Sequence, residues 1–79
     1  MIISVPMKEH IITWVLGLAE KYRKQHPELR EGQALFNAAY QIDPIAADEL
    51  RGSNVDCFYN DKLIPDFLDA LRGKKEYVK

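Results

Sequence analysis

Apolar residues recur along this chain at helical spacing, in four stretches separated by short polar breaks. Ile11, Val15, Leu18 and Tyr22 fall at i, i+4, i+7 and i+11, with Ile12 and Ala19 beside them, which predicts a first helix over residues 7–25. Leu35, Phe36, Ala38, Ala39, Tyr40 and Ile42 spread over roughly 200° of a helical wheel, at about 100° per residue. A surface helix shows a stripe little wider than about 100°. The second helix, residues 30–42, is therefore expected to be central and touched on several sides. Its remaining arc is a polar ridge of Arg30, Gln33, Asn37 and Gln41. Ile45, Ala46 and Leu50 predict a short third helix over 44–51, with Asp48 and Glu49 facing out. Leu63, Ile64, Phe67, Leu68, Ala70 and Leu71 predict a last helix over 61–71. The expected architecture is all-α, a compact bundle of about four helices around a central second helix.

The breaks carry their own signals. His26 precedes Pro27, and a residue before proline avoids the α region, so the first helix stops there. The connection over residues 27–31 is short, which makes the first two helices antiparallel neighbours. Asp43-Pro44 ends the second helix and starts the third, with Asp43 as N-cap and Pro44 in the first turn. Gly52 is placed to close the third helix in the left-handed conformation, and Gly73 to close the last. Pro65 fits within the first turn of its helix, or else the regular helix begins at Pro65 itself after a separate turn. The connection over residues 53–60 carries Val55, Cys57, Phe58 and Tyr59. Aromatic residues in a loop commonly anchor it, so Phe58 and Tyr59 are expected to tie it to the core. Arg51 and Asp56 are expected to form an internal clamp.

Length and charge change the picture at the ends. Seventy-nine residues make one domain. Residues 1–6 are apolar and β-branched up to Pro6; an open β-edge would invite aggregation, so an arm lying on the helices is expected. Residues 74–79 read as a frayed basic tail. Residues 43–69 hold seven acids against Arg51 and Lys62, a net of −5, although the whole chain is only −1. That segment reads as a solvated acidic face or as a surface for a basic partner. No run reaches the 18 or so apolar residues of a membrane span. Cys57 is the only cysteine; one unpaired thiol and no leader suggest the cytoplasm.

Chemistry is poorly served. His10 and His26 have no metal-ligand spacing, and one cysteine cannot build a zinc site. Ser4 and Ser53 lie in no nucleophile elbow, and the four glycines form no phosphate loop. No catalytic residue, metal or cofactor is expected, and the chain does not read as an enzyme. The candidates are for binding. Trp14 falls on the flank of its helix, in a row with His10, Gly17 and Lys21. It either caps the edge of the core under the arm or serves as a contact hot spot, where tryptophan is enriched. Gly17 marks a close approach by another backbone, from this chain or a partner. Gln33 and Asn37, at i and i+4, are either internal clamps on the 53–60 loop or a recognition ridge. Trp14, His10, Lys21, Gln33 and Asn37 are thus the candidate contacts to another protein or a second copy. The alternative is a nucleic-acid accessory protein using Lys21, Arg23, Lys24 and Arg30. It is the weaker expectation, because Pro44–Arg51, placed like a reading helix, carries two acids and one arginine.

Three stretches, G-Q-A-L-F-N (32–37), A-D-E-L-R-G (47–52) and D-C-F-Y-N-D (56–61), resemble a group of short bacterial and phage proteins of unassigned function. Those read G-Q-A-x-F-N, A-D-x-I-R-G-T and D-P-F-Y-x-D. The resemblance covers residues 27–71. Ser53 stands where threonine is common and Cys57 where proline is common. The resemblance implies a bacterial or phage setting and carries over no functional residue. The functional expectation is a small protein–protein interaction or regulatory module.

Overall fold

The computed structural model describes all of residues 1–79. Helix α1 (Glu9–Gln25) is followed by α2 (Glu31–Ile42), α3 (Pro44–Leu50) and α4 (Ile64–Leu71), with a 3₁₀ turn over Asp61–Leu63 leading into α4. There is no β-strand, and the protein is an all-α bundle.

Local chemistry explains most boundaries. α1 starts two residues later than the periodicity predicts, because the Met7 N–H donates to the Leu71 carbonyl (2.7 Å) at the end of α4. The buried stripe of α1 is Ile12, Val15 and Ala19, while Ile11, Leu18 and Tyr22 are half-buried on its edge. Between α2 and α3, Asp43 acts twice. Its N–H donates to the Ala39 carbonyl (2.8 Å) and its Oδ1 accepts the Ala46 N–H (3.1 Å). One residue thus closes one helix and caps the next. Gly52 and Gly73 have φ of +72° and +77°, the left-handed geometry that stops a helix. Pro65 lies in the first turn of α4, where its missing N–H leaves nothing unpaired. The predicted facing of α3 needs correcting. Ala46, Ala47 and Leu50 are buried and Ile45 is 80% exposed. Burying those three turns residue 45 outward, since it sits about 100–200° away from each of them on the wheel.

α2 is the hub. It supplies five of the nineteen core residues, more than any other helix: Ala34, Leu35, Phe36, Ala38 and Ala39. It packs against α1 and α3 and against the 3₁₀ turn. The Phe36 ring lies 5.7 Å from Phe67 of α4 and 5.8 Å from Phe58 of the loop, edge-on to the latter.

The two ends of the chain meet. The Met1 amine donates to the Tyr77 carbonyl (2.8 Å) and the Tyr77 N–H to the Met1 carbonyl (2.7 Å). The Asn54 N–H reaches the Val78 carbonyl (2.9 Å), and Asn54 Oδ1 accepts the Val78 N–H (2.8 Å). Ile3 and Tyr77 are both buried. The expectation of a frayed tail is therefore corrected: one aromatic residue among the lysines docks it. Glu49 of α3 is the joint, its Oε2 accepting the Ser4 N–H (2.9 Å) and the Tyr77 hydroxyl (2.7 Å). Partial burial pushes the Glu49 carboxyl up, but the bonds from Tyr77 and Ser4 outweigh it and hold it below the usual range. A depressed carboxyl stabilises the fold above its unfolded pKa and loses that contribution as pH falls through its folded value. Between about pH 6 and about pH 3, the fall in Tm should thus be smaller in Glu49→Gln than in the natural chain, as thermal melts followed by circular dichroism would show.

Candidate functional site

The loop between α3 and α4 is where the chemistry-bearing residues crowd. Asp56, buried, accepts the Gly52 N–H at Oδ2 (2.7 Å) and the Phe58 N–H at Oδ1 (2.9 Å). Its charge is satisfied by backbone donors on both sides of it. The expected Arg51–Asp56 clamp is accordingly not made. Arg51 Nε instead donates to Asp48 Oδ1 (2.9 Å), and its guanidinium lies 5.0 Å from the Phe36 ring centre and 5.3 Å from that of Tyr40. A cation over a ring face is favourable electrostatically. Tyr59 is also corrected as an anchor. It is 79% exposed, with its ring centre 4.9 Å from that of Phe58 in an edge-on arrangement. Val55 and Cys57 are the fully buried residues of this loop, with Phe58 half-buried.

The start of α2 closes against this loop. Asp61 Oδ1 accepts the Gly32 N–H (2.9 Å) and Arg30 Nη1 (3.0 Å), while Arg30 Nη2 donates to the Phe58 carbonyl. The Cys57 thiol donates to the Gly32 carbonyl (3.4 Å). Burial, followed by the neighbouring Asp56 charge, pushes that thiol up to about 12. At neutral pH it is a buried, protonated group, the opposite of an activated nucleophile. Folded protein at about pH 8 should therefore react with a disulfide reagent about a thousandfold more slowly than a free thiol, from the thiolate fraction alone. Stopped-flow absorbance checks this, and rapid labelling of native protein would contradict it.

The acidic segment is drawn into the same internal work. Asp43 caps α3, Asp48 holds Arg51, Glu49 joins the termini, and Asp56 and Asp61 bind backbone N–H groups. Asp66 faces Lys75 (3.8 Å) and Asp69 faces Arg72 (3.1 Å). Each of the seven acids has a partner inside the chain. Among the four cations of the basic patch, Arg23 faces Glu31 (4.0 Å), Lys24 faces Glu20 (3.5 Å) and Arg30 faces Asp61 (3.0 Å).

The candidate contact residues separate in space. Trp14 is 61% exposed, on the side of α1 opposite Ile12, Val15 and Ala19. The arm does not cover it, lying instead against α3 and the tail through Ser4 and Met1. His10, Gly17 and Lys21 are exposed with it. A Cβ on Gly17 would meet nothing within 4 Å, so no close approach within this chain requires glycine there. Gln33 leaves the ridge: its Oε1 accepts the Arg30 N–H (2.9 Å), the back-bond of a residue in the first turn. Asn37 is half-buried beside Tyr40 and Gln41, where α2 and the end of α1 enclose an open hollow of about 380 Å³.

Fold and surface together define a small helical protein whose acids and loop serve its own architecture and whose α1 carries an uncovered tryptophan. None of its helices is long and apolar enough to cross a membrane. A scan against protein-family models, a search of curated proteins and a search of solved structures each find no match to the chain.

Proposed function

We propose that this protein is a small interaction module that docks another protein, or a second copy of itself, on the outer face of α1. The observation that carries the reading is Trp14, 61% exposed on a face with no role in the core. Gly17 beside it supports the same face. An interior helical glycine costs about 1 kcal/mol against alanine, and no atom of this chain explains it. Gly17→Ala should raise Tm by about 4–8 °C for each kcal/mol recovered. Trp14→Ala should leave Tm within about 3 °C, because the ring contributes little to the core. The same variant should abolish self-association in sedimentation or the capture of a partner from a bacterial lysate. If Trp14→Ala leaves both unchanged, the face is wrong. The resemblance of residues 27–71 favours a bacterial or phage cytoplasm as the setting. The nucleic-acid alternative is weaker on electrostatic grounds, since three of its four cations face carboxylates. It would require a gel shift that weakens with salt.

A further inference from the structure

Six residues of the chain carry side-chain amides. Three are engaged inside the fold: Gln33 accepts the Arg30 N–H, Asn54 the Val78 N–H and Asn60 the Lys62 N–H. The other three, Gln25, Asn37 and Gln41, make no hydrogen bond within the protein, and all three line the same hollow, between the end of α1 and the last two turns of α2. Tyr22 and Tyr40 line it too, with hydroxyls equally unengaged. No buried side-chain polar atom in the protein lacks a partner, so these groups reach solvent. The hollow contains no carboxylate and no lysine or arginine. His26, which faces Glu28 at 3.5 Å, completes the polar lining, and the hollow gathers the three side-chain amides that the fold leaves unengaged.

The spacing narrows the ligand. Asn37 and Gln41 are one helical turn apart, which puts their Cβ atoms about 6 Å from each other. Alternate residues of an extended peptide repeat at about 6.7 Å. Each of those residues offers one N–H and one C=O, and a side-chain amide can answer both. We infer that this hollow binds an extended segment of a partner protein through its backbone, with Asn37, Gln41 and Gln25 as the hydrogen-bonding side chains. The inference rests on the protein-binding reading. A sugar would stack on an open aromatic face; of the two rings in the hollow, Tyr40 already has the Arg51 guanidinium over it at 5.3 Å and Tyr22 is half-buried. Trp14, Lys21 and Gln25 share an arc of roughly 40° on α1. Trp14 lies about 16 Å along the helix from Gln25, a span of about five extended residues.

The probe is a displayed library of unconstrained peptides selected against the full chain. The selected peptides should lose affinity about tenfold or more against a double variant, Asn37→Ala with Gln41→Ala. They should lose a similar factor when alternate backbone nitrogens are methylated. The double variant should keep its Tm within about 3 °C, since neither amide bonds within the fold and alanine favours helix. A library that yields no binder overturns the inference. So does affinity that survives either the double variant or N-methylation, or a double variant whose Tm falls by more than about 5 °C. If the peptides fail while Trp14→Ala still abolishes partner capture, the hollow is wrong and the protein-binding face stands. If the peptides bind as described and Trp14→Ala changes nothing, the hollow stands without that face.

Discussion

Gly32→Ala should strongly destabilise the protein. A Cβ on this residue would sit 2.1 Å from the Cys57 carbonyl oxygen and 2.8 Å from Asp61 Oδ1. The first is backbone in the buried part of a loop and cannot swing aside as a side-chain tip would. Relief requires the whole 56–61 segment to move off α2. That movement breaks the Gly32 N–H bond to Asp61 and the Cys57 thiol bond to Gly32. Overpacking costs about 1–3 kcal/mol and occasionally more. The lost bond to a charged acceptor adds about 1.5–3 kcal/mol. Alanine's better helix propensity returns only about 1 kcal/mol. A net loss of about 3 kcal/mol or more is a large part of the roughly 5 kcal/mol expected for a domain of this size. Circular dichroism melting should show a fall in Tm of more than about 15 °C. Gly17→Ala is the internal control, the same exchange in the same fold with the opposite sign. A Gly32→Ala protein melting within about 5 °C of the natural chain would mean the loop does not approach α2 this closely.

Asp56→Ala is the second large effect. The substitution orphans the Gly52 and Phe58 N–H groups together, in a place where Asp56 itself is only 5% exposed. Each unsatisfied donor costs about 1–3 kcal/mol. A loss of about 3 kcal/mol follows, read as a lower midpoint in urea with an unchanged slope. Asp56→Asn keeps one acceptor oxygen in place of two and should fall between the natural chain and Asp56→Ala. Equal stability of all three would show that water replaces the carboxylate without cost.

These two residues show how the stretches 32–37, 47–52 and 56–61 come together. Gly32 and Phe36 from the first stretch, Arg51 and Gly52 from the second, and Asp56, Phe58 and Asp61 from the third form one contiguous contact. Its interactions are cap-like hydrogen bonds, a cation over a ring and a close backbone approach. It is architecture, holding the α3–α4 loop against the hub helix. The acids of residues 43–69 belong to the same reading, because a charge count cannot distinguish a carboxylate facing a partner from one capping a neighbouring helix.

Periodicity and punctuation were enough for the helices. The apolar arc of α2, the Asp43-Pro44 junction, Gly52 and the first-turn Pro65 all act within a few residues, where backbone sterics and orphaned N–H groups leave few choices. Rotation of a two-turn helix is weaker information, and Ile45, which the apolar spacing places inward, faces solvent. The residues that bind the loop were only half legible. Arg51 and Asp56 are close in sequence and opposite in charge, yet each found a better partner: a buried carboxylate takes the nearest backbone donors, and a guanidinium can lie on aromatic rings. Local caps consume Gln33 and Asn60, within three residues of each, but tertiary structure alone engaged Asn54, which bonds Val78 twenty-four residues away. It alone docked the tail, through Tyr77 on Glu49 across twenty-eight residues. Local sequence determines conformations whose energies are settled within one turn; which side chains remain available for a partner depends on distant groups that meet only when the chain has folded.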